Sequence, residues 1–214
     1  VCLLQVKGAV PMHEDMIDIY DSDMNVLGMV SCRQAHQEGL WHKVAHCWIV
    51  TEDGDVWLRE AVASHDKSPL DVSVVGHVMV GETPKQTAVR KLEEDFGLHV
   101  KEPALVKMFT AQTLDDTDGH NREFNPIYVL QTQLKPEDID ADVAEVAAVY
   151  VADIQSLTDL FLGDVDKIQI KGLSWSETEC RREQRMVSKA DFYPYGDKFY
   201  QKVFASIQRF IDNQ

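Results

Sequence analysis

The run GHVMVGETPKQTAVRKLEEDFGL, Gly76 to Leu98, constrains the fold more than any other stretch of the chain. It contains a helix with both ends marked. Thr83 is placed as N-cap, Pro84 suits the first helical position, and Gln86 completes a capping box. Gly97 is placed to end the helix in a left-handed conformation. Ala88, Leu92 and Phe96 recur at i, i+4 and i+8 and give one apolar stripe. A short helix with such a stripe is stable only against a second apolar surface, and the flanking segments read as the sheet that supplies it.

Those segments carry strand signals. Two strands surround the polar turn Ser22-Asp23-Met24-Asn25, and VAHCWIV (Val44 to Val50) and DVWLRE (Asp55 to Glu60) flank an Asp-Gly hairpin tip. Further strands are expected at 104–111, 126–133 and 146–151, with a polar loop, LDDTDGHNREFN, between the first two. DKFYQKVFASIQRFID repeats apolar residues at Phe199, Val203, Ile207, Phe210 and Ile211, which predicts a closing amphipathic helix. Residues 1–13 read as a leader or strand and 14–214 as a single α/β domain, helices packed on a mixed sheet.

The net charge of −15 argues against generic nucleic-acid binding, which needs a basic surface. A polyanionic substrate would have to be drawn in by bound cations or a local basic patch. No run of about 18 apolar residues is present to span a membrane, and the N-terminal stretch lacks the basic start and long apolar core of a signal peptide. The four cysteines are scattered without zinc spacing, as expected of free thiols in a reducing cytoplasm.

On the predicted helix, positions 91, 94 and 95 fall within an arc of about 100°, away from the apolar stripe. Glu94 and Asp95 together suit a hard divalent cation such as magnesium, and equally a solvated acidic face. Spacing decides between them. Gly76, Glu82, Arg90, Leu92, Glu94, Gly97 and Leu98 fill seven of the nine fixed positions of the Nudix hydrolase signature, with Asp95 where Glu is usual. Gly28, Arg33, His36, Gly39, His42 and Trp48 also match the run that precedes the signature in the branch similar to isopentenyl-diphosphate isomerase.

This resemblance implies a Nudix-type α/β/α sandwich with an N-terminal β extension and a C-terminal helix. It implies a hydrolase of a diphosphate linkage in a small molecule, either a nucleoside diphosphate derivative or a prenyl-type diphosphate, using Mg2+ or Mn2+. Carried over by position, Glu94, Asp95 and the Gly76 carbonyl are the metal ligands, and Glu82 and Arg90 brace the loop against the helix. Glu123 matches a position that binds metal or activates water, Lys67 a basic residue that contacts substrate, and Glu145 a recurring structural glutamate. The isomerase branch needs a cysteine and a glutamate that are Val75 and Asn125 here, so isomerisation is the weakest of the readings.

Lys91 departs from the pattern, standing where the signature has its first helix glutamate. An ammonium cannot ligate metal, so the trio drops from about −3 to about −1. Lys91 is expected to pair with Asp95 at i+4, and to touch substrate phosphate if the site still turns over. The alternative is a binding or regulatory protein on the same scaffold. His36, His42, His46 and His77 are expected to be structural, with His42 and His46 separated by the start of a strand at Val44, and Trp41, Trp48 and Trp57 to be core or pocket wall. A homodimer is left open.

Overall fold

A computed structural model describes residues 15–62, 69–115, 121–176 and 179–213. In chain order the elements are β1 (Met16–Tyr20), β2 (Val26–Ser31), α1 (Cys32–Glu38), β3 (Trp41–Thr51), β4 (Asp55–Ala61), β5 (Leu70–Val72), β6 (Val74–His77) and α2 (Pro84–Phe96). There follow β7 (Leu105–Asp115), β8 (Asn121–Thr132), β9 (Val146–Asp153), α3 (Ile154–Leu162), β10 (Ile168–Trp175), β11 (Cys180–Val187) and α4 (Asp197–Asp212). The strands join in one mixed sheet whose main path runs β11-β10-β9-β4-β3-β1-β2. Strand β8 pairs with β3 in parallel, and β7, β6 and β5 complete it by pairing with β8, β3 and β4.

Side-chain alternation on β3 divides the interior. Trp48 and Val50 point to the layer of α3 and α4, with Tyr150, Leu157, Phe161, Tyr200 and Phe204. Cys47 and Ile49 point to the layer of α2, with Trp57, Ala88, Leu92, Phe96 and Tyr128. The result is the expected α/β/α sandwich. Helix α2 has the predicted ends: Thr83 accepts from the Gln86 N–H, the Gln86 side chain returns to Thr83 N–H, and Gly97 takes φ +65°. Its stripe of Ala88, Leu92 and Phe96 is fully buried, worth roughly 1.5–3 kcal/mol for each large side chain.

Several elements differ from the sequence reading. Helix α4 presents Tyr200, Val203, Phe204 and Ile207 as its buried face, while Phe199, Phe210 and Ile211 sit at the margin. Glu123 is not on a loop: β7 and β8 form a long hairpin in which Thr113 lies opposite Glu123, so the strand runs on through the polar residues. Strand β3 begins at Trp41, not Val44, which puts His42 and His46 on the same face instead of separating them. Trp48 and Trp57 are core, and Trp41 stacks on Phe124 at 4.6 Å between ring centres. Residues 1–13 and Lys67 lie outside the described residues.

Candidate functional site

The loop between β6 and α2 is tied to the helix by a single ion pair. Glu82 accepts from Arg90 Nε at 2.8 Å and Nη2 at 3.0 Å, and from the Thr87 hydroxyl at 2.8 Å. The Arg90 contacts hold the Glu82 carboxyl below the usual carboxylate range. Arg90 Nη2 also donates to the His77 carbonyl at 3.3 Å, and Nη1 to both Glu94 oxygens at 3.2 Å. Arg90 thus fixes the loop, the end of β6 and the helix surface together.

The next residue along α2 is Lys91. Its Nζ is 2.6 Å from Asp95 Oδ1 and 3.3 Å from Glu94 Oε2. The other Asp95 oxygen accepts from Arg59 Nη1 at 2.9 Å. Asp95 is 0% exposed, whereas the Glu94 side chain is 47% exposed. The Lys91 stem lies across Gly76, where an added Cβ would meet Lys91 Cγ at 2.6 Å. Three carboxylates, Glu82, Glu94 and Asp95, therefore face three cations, Arg59, Arg90 and Lys91. Family resemblance implies a divalent ion on these carboxylates, but a group of zero net charge, with a cation standing against each buried Asp95 oxygen, does not fit one.

The other face of β6 presents different chemistry. His77 Nε2 lies 2.9 Å from His36 Nε2 of α1, and donor atoms of Cys32, His36 and His77 lie within 4.8 Å of one another. His42 stacks beside them, its ring centre 4.7 Å from that of His36 and 5.3 Å from that of His77. His42 Nδ1 is 2.9 Å from the Leu40 carbonyl, to which it can only donate. That leaves its buried Nε2 a lone-pair acceptor without a partner. Burial, with the neighbouring His42 and His36, lowers His77 to about 4, and burial with the Arg59 charge, against the pull of Glu123, lowers His46 to about 4. Two imidazoles and a thiol are a donor set for a borderline divalent ion such as Zn2+, and they fit one here.

Glu123 adjoins this cluster, paired across the parallel strands with His42. It is 7% exposed and accepts from Asn121 Nδ2 at 2.6 Å, Asn125 Nδ2 at 2.8 Å and the Thr113 hydroxyl at 3.3 Å. Burial pushes its carboxyl up, but the two amides with His46 and His42 more than offset this, so Glu123 titrates below its ordinary value. It borders a cavity of about 110 Å³ lined also by Tyr193, Tyr195 and Phe199. A larger groove of about 470 Å³ shares Tyr195 and Phe199 and adds Phe109, Phe124, Lys198 and Lys202. Asp71, bonded by the Tyr195 hydroxyl, is pushed up to about 6 by burial against the opposing pull of Arg59.

The expected site residues thus fall into two groups. Gly76, Glu82, Arg90, Lys91, Glu94 and Asp95 come together on the α2 side of the sheet, and Glu123 comes together with the histidines on the α4 side. Glu145 lies in an exposed turn. Four members of the two groups were not singled out from the sequence: Arg59, Asp71, Tyr195 and Cys32. Alternation along β4 could have found Arg59, because it shares a strand face with the buried Trp57, where a cation needs a carboxylate.

A model of the NUDIX domain matches residues 40–173. The chain is 26% identical over 204 residues to an uncharacterised Nudix hydrolase of Clostridium acetobutylicum, covering 92% of this chain and 98% of that protein. It is 31% identical over 148 residues to an isopentenyl-diphosphate Δ-isomerase of Serratia proteamaculans, covering 68% and 80%. Nudix hydrolase 3 of Arabidopsis thaliana is 32% identical over 149 residues, 64% of this chain but 19% of that protein. A solved Deinococcus radiodurans structure has the same fold, with a TM-score of 0.54 at 16% identity over 69% of this chain and 89% of that one.

Proposed function

This chain belongs to the Nudix family, and from that premise we propose that it hydrolyses a diphosphate linkage in a small molecule from the α4 side of the sheet. The observation that carries the reading is Glu123, a buried carboxylate kept ionised by neutral amides at the mouth of a cavity. Such a group can take a proton from an attacking water. A divalent ion held by Cys32, His36 and His77 would neutralise diphosphate charge and acidify water. The Glu82–Arg90 brace serves this site as well, since Arg90 fixes the His77 carbonyl. Lys198 and Lys202 give the groove the local positive charge that an acidic protein needs to receive a diphosphate. Its aromatic walls suit an organic moiety, a base or a prenyl chain.

The test is a screen of nucleoside and prenyl diphosphates with Mg2+, Mn2+ or Zn2+, read as phosphate release. Glu123→Gln should lower kcat by about 10² or more, the ordinary contribution of a general base, with substrate affinity nearly unchanged. Full turnover by that variant sinks the assignment. The net-neutral carboxylate group on α2 favours a second reading, a diphosphate-binding protein without turnover, which the same screen would reveal as saturable binding and no product. Prenyl diphosphate isomerisation finds little support, because Val75 carries no thiol and Asn125 is a neutral amide tied to Thr113 and Glu123. Neither can exchange a proton with an alkene.

A further inference from the structure

We propose that Lys91 and Arg59 are resident cations that replace the divalent ion on α2, so that this carboxylate site works metal-free. The inference does not rest on the histidine cluster or on turnover. Its first support is position: the Lys91 stem covers Gly76 so closely that a Cβ there would lie 2.6 Å from Lys91 Cγ. The ammonium is thereby delivered to Asp95 Oδ1 and Glu94 Oε2, the two carboxylates that an ion on this helix would have to bridge.

The second support is Arg59, which comes from β4 and has no place in the helix pattern. It takes Asp95 Oδ2 at 2.9 Å, while Lys91 Nζ stands 2.6 Å from Oδ1 as an ion pair without hydrogen-bond geometry, so a metal would meet a cation at either oxygen of that buried carboxylate. An ammonium and a guanidinium on one carboxylate supply, as tethered charges, about what one divalent ion would supply. The Lys91 side chain is 19% exposed, which limits water as a competitor for the pair. A metal would have to displace both cations and leave them buried, which opposes binding strongly.

The test is Mn2+ titration of the full chain, followed by the electron paramagnetic resonance of free Mn2+. It is made in a His77→Ala background to remove the other donor set. In that background no Mn2+ should bind, and Glu94→Gln should change nothing. Adding Lys91→Glu with Arg59→Gln should create one saturable Mn2+ site where the background has none. Lys91→Glu alone should gain less, because Arg59 still holds Asp95. If the His77→Ala protein binds one Mn2+ and Glu94→Gln abolishes it, the proposal is overturned. Glu94 is half-exposed, so this decisive arm does not depend on a variant that might fail to fold. If instead the chain with intact histidines binds no Mn2+ or Zn2+, the histidine assignment fails while this inference stands.

Discussion

The two faces of the sheet beside Gly76 and His77 handle charge in opposite ways. On the α2 face Glu82, Glu94 and Asp95 are each paired with a cation, and Glu94 and buried Asp95 each touch two. On the α4 face the ionised carboxylate, Glu123, is held by neutral amides, and its histidine neighbours are kept uncharged with ring nitrogens left over. A closed set of ion pairs fixes geometry; an open set of acceptors and lone pairs is where ligands and protons can be exchanged. Under the proposed function, then, the most recognisable part of the sequence carries the brace, and the chemistry falls to residues outside the signature.

The largest effect that could break this contrast is on stability. Asp95→Asn would strip the shared partner from Arg59 and Lys91 in a site that excludes water. Breaking a buried pair in this way costs roughly 3–5 kcal/mol, readable in a urea melt as a shifted midpoint with unchanged slope. A loss under 1 kcal/mol would mean that the α2 face is not the closed set described.

The parts of this contrast that can be read from the sequence are the local ones. Thr83, Gln86 and Gly97 mark α2 within the chain itself, and Glu82 with Arg90 lies within one loop and helix. The second partner of Asp95, Arg59, lies 36 residues away on a strand, and Tyr195 reaches Asp71 from a segment far along the chain that pairs with Leu70, so spacing gives no warning of either. Helix α1 went unseen because Ala35 is its one buried residue, too few for a period to register. Helix α3 did leave a signal, Asp153 capping the Ser156 N–H and Gly163 ending in a left-handed conformation, with Leu157 and Leu160 at i and i+3. Strand β11 hid itself because CRREQRMV is largely exposed and takes its place from pairing with β10.

Acid titration sharpens the comparison at a middle scale. His46 has a folded value of about 4 against 6.5, so between these values the unfolded chain binds the extra proton and stability rises with pH. Asp71 has a folded value of about 6 against 3.8, so the folded chain holds the extra proton and stability falls as pH rises through that window. The two oppose each other between about pH 4 and 6. Asp71→Asn removes one of them, and the slope of stability against pH should become more positive by up to about 1.4 kcal/mol per pH unit. Melts at several pH values in chelator-treated buffer measure it. An unchanged slope would place the Asp71 carboxyl in water, away from Tyr195.

The smallest effect separates neighbours on one helix. Glu94 pairs with Arg90 and Lys91 as Asp95 pairs with Arg59 and Lys91, but its side chain is 47% exposed while Asp95 is closed off. Exposed pairs gain little, because water and salt screen them and two long side chains must be held still. Glu94→Gln should therefore cost less than about 1 kcal/mol, and raising salt to about 1 M, where the screening length falls to about 3 Å, should shrink even that. Arg90 would keep Glu82, and Lys91 would keep Asp95, so no cation is stranded by the change. A salt-independent loss as large as that of Asp95→Asn would mean that Glu94 carries a desolvated share of the network, and the closed set would then extend to the helix surface.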